Sequence, residues 1–150
     1  MVAPRRLLSL LVGVAAAEAC GDQVRLKWPN DLLLDGRKVG GILVEAKPDR
    51  AIVGVGINLS WAPAGAAYIK VDCDELLTRL LERVEAWIDA SDREVLERWR
   101  QLADTLGRHV TVALPGRVIE GVAEDVDADG SLLVAGERIS AGDVIHVSRP

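Results

Sequence analysis

The chain contains no phenylalanine, and aromatic residues make up only 3% of it. Any core must therefore be built from leucine, valine, isoleucine and the four tryptophans. Lysine is also scarce, with 4 lysines against 14 arginines, so a lysine inside a glycine-rich motif is a candidate for a specific role. The net charge of −5 argues against a general nucleic-acid-binding surface.

Metal-binding side chains are few. Cys20 and Cys73 are far apart and lack C-x-x-C spacing, and His109 and His146 lie in β-like segments with no nearby set of acidic or thiol partners for a zinc ion. We therefore expect no metal site built from protein ligands. A reducing, cytoplasmic location is the simplest interpretation of this cysteine usage.

A long hydrophobic run is also missing. The apolar stretch from Leu7 to Ala17 is too short to cross a bilayer as a helix, so we expect no membrane partner. This stretch resembles the signal peptide of an exported protein, because basic residues precede it and Ala17-Glu18-Ala19-Cys20 follows it like a cleavage site. A glutamate just before the cleavage point suits such a signal poorly. The helical spacing of its leucines favours instead a helix buried against a sheet. The targeting segment stays as the alternative for residues 1–20.

The middle of the chain alternates between strand and helix patterns. Strands are predicted at 24–28, 31–34, 39–46 and 51–59, with Asp35-Gly36 as a hairpin turn. The segment 51–59 is apolar on both faces, which predicts a central, buried strand. Two helices follow, at about 73–90 and after Ser91, where Asp72 with Glu75 and Ser91 with Glu94 form the pattern of a capping box.

From Gly107 the apolar period changes to two. Five short strands separated by glycine-containing turns predict a small barrel. We therefore expect a division near Gly107, into residues 1–106 and 107–150, with an α+β first part that carries a partial mixed or antiparallel sheet and packed helices.

The segment Lys27-Trp28-Pro29-Asn30-Asp31 places a cation and a carboxylate on either side of a rigid turn. A lysine at a strand end can project into a cleft and stabilise a phosphate whose charge grows during a reaction. Asp31 on the same rim can orient or deprotonate an incoming amine. The plainer alternative is a surface ion pair between Lys27 and Asp31.

Small residues follow this segment. Lys38 precedes Gly40-Gly41, where a ligand can approach the backbone because no Cβ intervenes. Gly54, Gly56 and Asn58 offer a second such strand end, with an amide that could bond a ribose or a base. Alternatively, Gly40-Gly41 forms a bulge, Gly54 and Gly56 admit a side chain from a facing helix, and Asn58 caps its strand.

Three motifs, taken in their order, resemble the second half of the catalytic domain of biotin–protein ligases. They are K-W-P-N-D-L, D-G-R-K-V-G-G-I-L-V-E and V-G-V-G-I-N-L. The preceding apolar helix matches the family as well. So does the final barrel, since the family ends in a small SH3-like domain. The resemblance thus extends along the whole chain and implies a class II synthetase-like catalytic fold followed by an SH3-like barrel.

The resemblance implies a biotin–acetyl-CoA-carboxylase ligase that forms biotinyl-5′-AMP from biotin, ATP and Mg²⁺. It would then transfer biotin to a lysine of a carboxylase's biotin carboxyl carrier domain. Lys27 would contact the phosphate or carboxylate, and Asp31 would assist the acceptor lysine. Lys38, with Gly40 and Gly41, would lie at the biotin and adenylate carboxyl, and Asn58 would meet the nucleotide.

The family's first half carries a G-R-G-R-x-G-R loop over biotin and the phosphates, and these 150 residues contain no such segment. We therefore expect activity to depend on a further N-terminal half or a homodimer, with an open sheet edge and an uncovered face on the first helix. The alternative is a non-catalytic module that docks the carrier domain.

Overall fold

The computed structural model of the chain describes residues 7–147, which form three helices and two antiparallel sheets. The basic residues before Leu7, on which part of the targeting hypothesis depends, lie outside this range. The helices are α1 (Leu8–Cys20), α2 (Cys73–Ile88) and α3 (Asp92–Leu102). The strands are β1 (Val24–Lys27), β2 (Asp31–Leu34), β3 (Arg37–Ala46), β4 (Ala51–Ile57), β5 (His109–Leu114), β6 (Arg117–Val126), β7 (Leu132–Val134), β8 (Glu137–Ile139) and β9 (Asp143–His146).

The first sheet is an antiparallel meander in the order β1-β2-β3-β4. Its predicted hairpin is confirmed: Asp35 and Gly36 both have positive φ, at 50° and 74°, as a two-residue turn between twisted strands requires. The register shifts between Leu32 and Leu33, where Leu32 pairs with Gly40 and Leu33 with Lys38. This bulge bends β3 immediately before the Gly40-Gly41 pair.

The strand β4 is not central, so that prediction is wrong. Among the described residues it pairs with β3 alone, and Ile52 and Val53 are exposed at 50% and 39%. Its glycines explain the misleading pattern, since Gly54 and Gly56 leave one face of the strand without side chains after Ile52. The expected open sheet edge is therefore present at β4.

The helix α1 is the centre of the core. Every residue from Leu10 to Ala17 is buried, because the helix lies on the first sheet and is also packed against α2 and α3. The expectation of an uncovered helix face is therefore wrong. Where Gly13 crosses the sheet, a Cβ on it would meet Leu26 and Ile42 at ordinary van der Waals distance.

Both later helices begin at the predicted caps. The Asp72 carboxylate accepts hydrogen bonds from the backbone N–H groups of Asp74 and Glu75. Ser91 and Glu94 form a complete capping box, which holds the pKa of the Glu94 carboxyl below its usual range. α3 buries one apolar face, formed by Val95, Leu96, Trp99 and Leu102.

The second sheet is the predicted SH3-like barrel, with strand order β8-β7-β6-β5-β9. β6 is shared between two parts of it: its first half pairs with β5 and its second half with β7. A register shift between Ala123 and Asp125 lies within the half that pairs with β7 and lets the long strand bend. No described helix is long and apolar enough to cross a bilayer.

A junction of residues 103–108 joins the two sheets along β1. The Asp104 N–H donates to the carbonyl of Leu26 at 2.7 Å, and Ala103 forms a bridge with the same strand position. From the neighbouring helix, Arg100 donates to the Asp125 carboxylate at 2.7 Å and to the Val126 carbonyl at 2.9 Å. The edge of β1 is therefore covered by the junction rather than left open.

Candidate functional site

The sheet register brings three predicted site residues onto one face. Lys27 pairs with Asp31 across β1 and β2, and Asp31 pairs with Gly41 across β2 and β3. Directly paired residues project to the same side of a sheet. Lys38 reaches this face too, since its Nζ lies 3.1 Å from Asp31 Oδ1. Asp31 thus pairs with Lys38, so the plainer alternative of a Lys27–Asp31 ion pair is not what the described residues form.

The glycines of this face have two different explanations. A Cβ on Gly40 would overlap the Gly56 carbonyl oxygen and lie 2.7 Å from Ile57 Cδ1, so Gly40 is required by the packing of β3 on β4. A Cβ on Gly41 would meet its nearest atoms, on Asp31 and Lys38, at 3.6 Å, and one on Gly56 would meet nothing within 4 Å. The alternative that a facing helix fills this space is therefore wrong for Gly56.

Gly41, Gly54 and Gly56 together leave a smooth open surface, which we call the glycine window. Gly41 pairs with Gly56, and Gly54 pairs with Leu43. Leu43 is 71% exposed, so an apolar side chain borders this surface. The window is a place where a flat or extended ligand can lie directly on the backbone.

Asn58 stands at the end of β4, where its side chain has a structural partner. Its Nδ2 donates to the Ala67 carbonyl at 2.9 Å, and its backbone N–H donates to the Val39 carbonyl at 2.8 Å. The Ala67 N–H in turn donates to the Lys38 carbonyl at 2.9 Å. Asn58 therefore fixes the connector after β4 beside Lys38, as the alternative of a strand-end cap predicts.

Three adjoining clefts follow this face of the sheet, and Lys38 lines all of them. One, of about 550 Å³, runs from Lys27 and Asp31 to the barrel. The second, of about 430 Å³, lies over the glycine window, and the third, of about 500 Å³, reaches Asn58. The structure therefore brings the predicted residues Lys27, Asp31, Lys38, Gly40, Gly41 and Asn58 into one continuous groove.

The barrel also contributes to this groove, and none of its residues was among those expected there. Ala113 on β5 and Gly142, Asp143 and Val144 at β9 form the wall opposite Lys27. Trp28 fixes the distance between the two sheets, because its indole Nε1 donates to the Gly130 carbonyl at 2.9 Å while the side chain is 2% exposed. No motif in the barrel sequence signals this wall.

Behind the turn, Thr105 and His146 contact the same segment. The Trp28 N–H donates to Thr105 Oγ1 at 2.9 Å, and Thr105 Oγ1 lies 3.1 Å from His146 Nε2. His146 Nδ1 also lies 3.7 Å from Asp104 Oδ2, a single acidic contact that the sequence around His146 did not predict. Burial, reinforced by the charge of Lys27, lowers the pKa of His146, although Asp104 opposes the shift.

Two family models match segments of this chain. The model described as "Biotin/lipoate A/B protein ligase family" matches residues 5–60, and the one described as "Biotin protein ligase C terminal domain" matches residues 105–147. The first match contains the groove residues of the sheet, and the second contains the barrel. The chain belongs to the biotin protein ligase family.

Similar proteins agree with this assignment. The Mycobacterium tuberculosis biotin–acetyl-CoA-carboxylase ligase is 33% identical, over 93% of this chain and 62% of its own length. The Escherichia coli bifunctional ligase/repressor BirA is 31% identical, over 88% of this chain and 49% of its own. The chain thus spans about half to three fifths of these ligases.

The fold has solved counterparts. The structure of the biotin protein ligase from Aquifex aeolicus in complex with biotin and ATP matches with a TM-score of 0.81 at 24% identity, covering 93% of this chain and 71% of that one. The biotin acetyl coenzyme A carboxylase synthetase from Helicobacter pylori matches with a TM-score of 0.72 at 23% identity, covering 91% of this chain and 66% of that one. The predicted α+β fold with an SH3-like barrel is therefore confirmed.

Proposed function

We propose that this chain is the part of a biotin–protein ligase that holds the adenylate and receives the acceptor lysine. The carrying observation is the glycine window beside Lys27, Asp31 and Lys38. A Cβ at Gly41, Gly54 or Gly56 would not clash with any neighbouring atom, so packing does not require glycine there. These three glycines nevertheless line the same groove as the two lysines. A surface kept free of side chains next to paired cations suits an extended, anionic ligand.

In the proposed first step, a biotin carboxylate oxygen attacks the α-phosphorus of ATP and pyrophosphate leaves. Negative charge grows on the phosphoryl oxygens in this transition state, and Lys27 stands at the end of β1 to stabilise it. Lys38 lies at the carboxyl end of the ligand, between the window and Lys27. Exposed Leu43 supplies apolar surface for the uncharged part of biotin.

In the proposed second step, the acceptor lysine attacks the carbonyl carbon of the mixed anhydride and AMP leaves. Asp31 is the carboxylate placed to orient this amine or take its proton. Its ion pair with Lys38 would loosen when Lys38 turns to the bound adenylate, since one ammonium then serves two anions. Asn58, fixed at the far end of the groove, is proposed to face the nucleotide.

The described groove suits Mg²⁺ only when the ion is bound to the phosphates of the nucleotide. Among residues 7–147, no group of three or more His, Cys, Asp and Glu side chains is placed to hold a metal ion. Mg²⁺ commonly keeps its waters and binds substrate phosphates with few protein ligands. We therefore propose that it neutralises the phosphates of ATP, while the chain's own part is to supply the two lysines.

The proposed partner is the biotin carboxyl carrier domain of a carboxylase, in the cytoplasm. Free Cys20 and Cys73 are compatible with a reducing compartment. The edge of β4 that has no partner strand within residues 7–147 supports a further ligase segment or a second copy as an additional partner. A division near Gly107, between a catalytic part and the SH3-like part, remains part of the proposal.

The test is biotin-dependent exchange of labelled pyrophosphate into ATP, with the wild-type chain, Lys27→Ala and the control Lys47→Ala. Lys47 follows β3 and forms its ion pair with Glu45, away from the groove. Exchange that is lost in Lys27→Ala and kept in Lys47→Ala is the expected result. A folded wild-type chain without exchange would contradict adenylation by these residues. Retention of the carrier domain on that chain would then favour the docking module.

A further inference from the structure

The barrel holds the Lys27 turn through a buried chain of hydrogen bonds. Thr105 is fully buried and lies between two partners, the Trp28 N–H at 2.9 Å and His146 Nε2 at 3.1 Å. Because the Thr105 oxygen accepts the hydrogen of Trp28, its own hydroxyl hydrogen is available to the imidazole. Nε2 of a neutral His146 is then the acceptor, and the Nδ1 hydrogen faces Asp104.

These bonds fix Lys27 from both neighbours along the chain. On one side, the Leu26 carbonyl accepts the Asp104 N–H at 2.7 Å, and on the other side Trp28 donates to Thr105. Asp104 is itself held by Arg108, whose Nη2 lies 2.8 Å from Asp104 Oδ1. The Lys27 backbone therefore cannot move toward or away from the groove without breaking a buried hydrogen bond.

We propose that Thr105 and His146 are positioning residues, through which the last strand of the barrel sets the place of the Lys27 ammonium in the groove. This inference rests on the proposed function in one respect, which is that Lys27 acts on the bound ligand. The role predicted for the pair is geometric, since neither residue lines the groove. A catalytic charge misplaced by about 1 Å can slow a reaction on the order of 100-fold.

The charge state of His146 provides a readout. The charged groups facing the imidazole are Lys27 from β1, and Asp104 and Arg108 from the junction. Burial and the two cations favour the neutral imidazole, so its pKa lies below the ordinary value. Protonation would remove the acceptor for Thr105 and add a second cation beside Lys27. In acid, the position of Trp28 should therefore change together with the titration of His146.

The first experiment is an NMR pH titration of the whole chain. The only imidazole signals come from His146 and His109, and exposed His109 is the internal reference. We expect the Trp28 amide signal to follow the His146 titration, and to lose this dependence in Thr105→Val and His146→Gln but not in His109→Gln. A Trp28 amide that ignores His146 in the wild-type chain overturns the proposal without any enzyme assay.

The second experiment measures pyrophosphate exchange in the same variants. Thr105→Val is expected to lower kcat about 10- to 100-fold with little change in the KM for biotin, and Thr105→Ser, which keeps the hydroxyl, to restore it. Equal kcat in folded Thr105→Val and wild type would overturn the positioning role. If the wild-type chain shows no exchange, the proposed function fails, while the NMR titration still decides this inference.

Discussion

Alanine at Gly56 should strengthen the fold and weaken ligand binding, because the glycine serves the ligand rather than the packing. A Cβ there meets no heavy atom within 4 Å, and Gly56 lacks the positive φ that strains other residues. Reduced freedom of the unfolded chain should therefore raise the free energy of unfolding by about 0.4–1 kcal/mol. The new methyl would occupy the glycine window, and such overpacking typically costs about 1–3 kcal/mol.

That cost corresponds to an affinity roughly 5- to 150-fold weaker for a non-reactive analogue of biotinyl-5′-AMP. Calorimetric titration measures the affinity, and urea denaturation measures the stability. Gly40→Ala is the matched control, one residue before the window. Its Cβ would overlap the Gly56 carbonyl, so this variant should lose about 1–3 kcal/mol of stability. Unchanged affinity in a folded Gly56→Ala chain, or lower stability of that chain, would refute the reasoning.

Three further predictions concern thiols, pH and the core. Burial raises the pKa of Cys20 to about 11, so iodoacetamide at pH 8 should modify exposed Cys73 alone; equal labelling of both thiols would contradict this. Because folding lowers the pKa of His146, the imidazole takes up a proton at a higher pH in the unfolded chain than in the folded one. The free energy of unfolding should therefore fall as the pH drops below about 6.5. Urea denaturation of His146→Gln should show a smaller fall, and an identical pH profile would argue against it. Glu18→Ala should lower the free energy of unfolding, measured by thermal denaturation, by about 1–3 kcal/mol, because the Glu18 carboxylate accepts hydrogen bonds from Trp87 and Arg98. A loss no larger than that caused by Glu82→Ala, at an exposed position, would contradict this prediction.

Local signals in the sequence were sufficient for most of the fold. The Asp35-Gly36 turn requires two positive φ angles, and the Ser91–Glu94 capping box closes within four residues, so neighbouring residues determine both features. The groove residues were found because their motif is ordered along the chain and the meander then brings its parts together. Strand and helix bounds differ from the predictions by a few residues at their ends.

The failures share a physical cause, which is the distance along the chain between partners. No partner was predicted for Glu18, yet it anchors α1 to α2 and α3 through Trp87 and Arg98. The contacts of His146 were not predicted, because Asp104 and Thr105 lie far from it in sequence. The position of β4 failed differently, since its glycine-interrupted apolar pattern is typical both of a buried strand and of an open ligand surface.

The contacts of Trp28 have a consequence for how the chain unfolds. Its backbone bonds Thr105 and its indole bonds Gly130, while Arg100 holds β6 from α3. Separation of the barrel from the meander would break the hydrogen bonds of the Trp28 indole and backbone N–H groups, expose the Trp28 ring to water and uncover the edge of β1. The two sheets are therefore one cooperative unit, and heat or denaturant should melt them in a single transition even though they are successive in sequence.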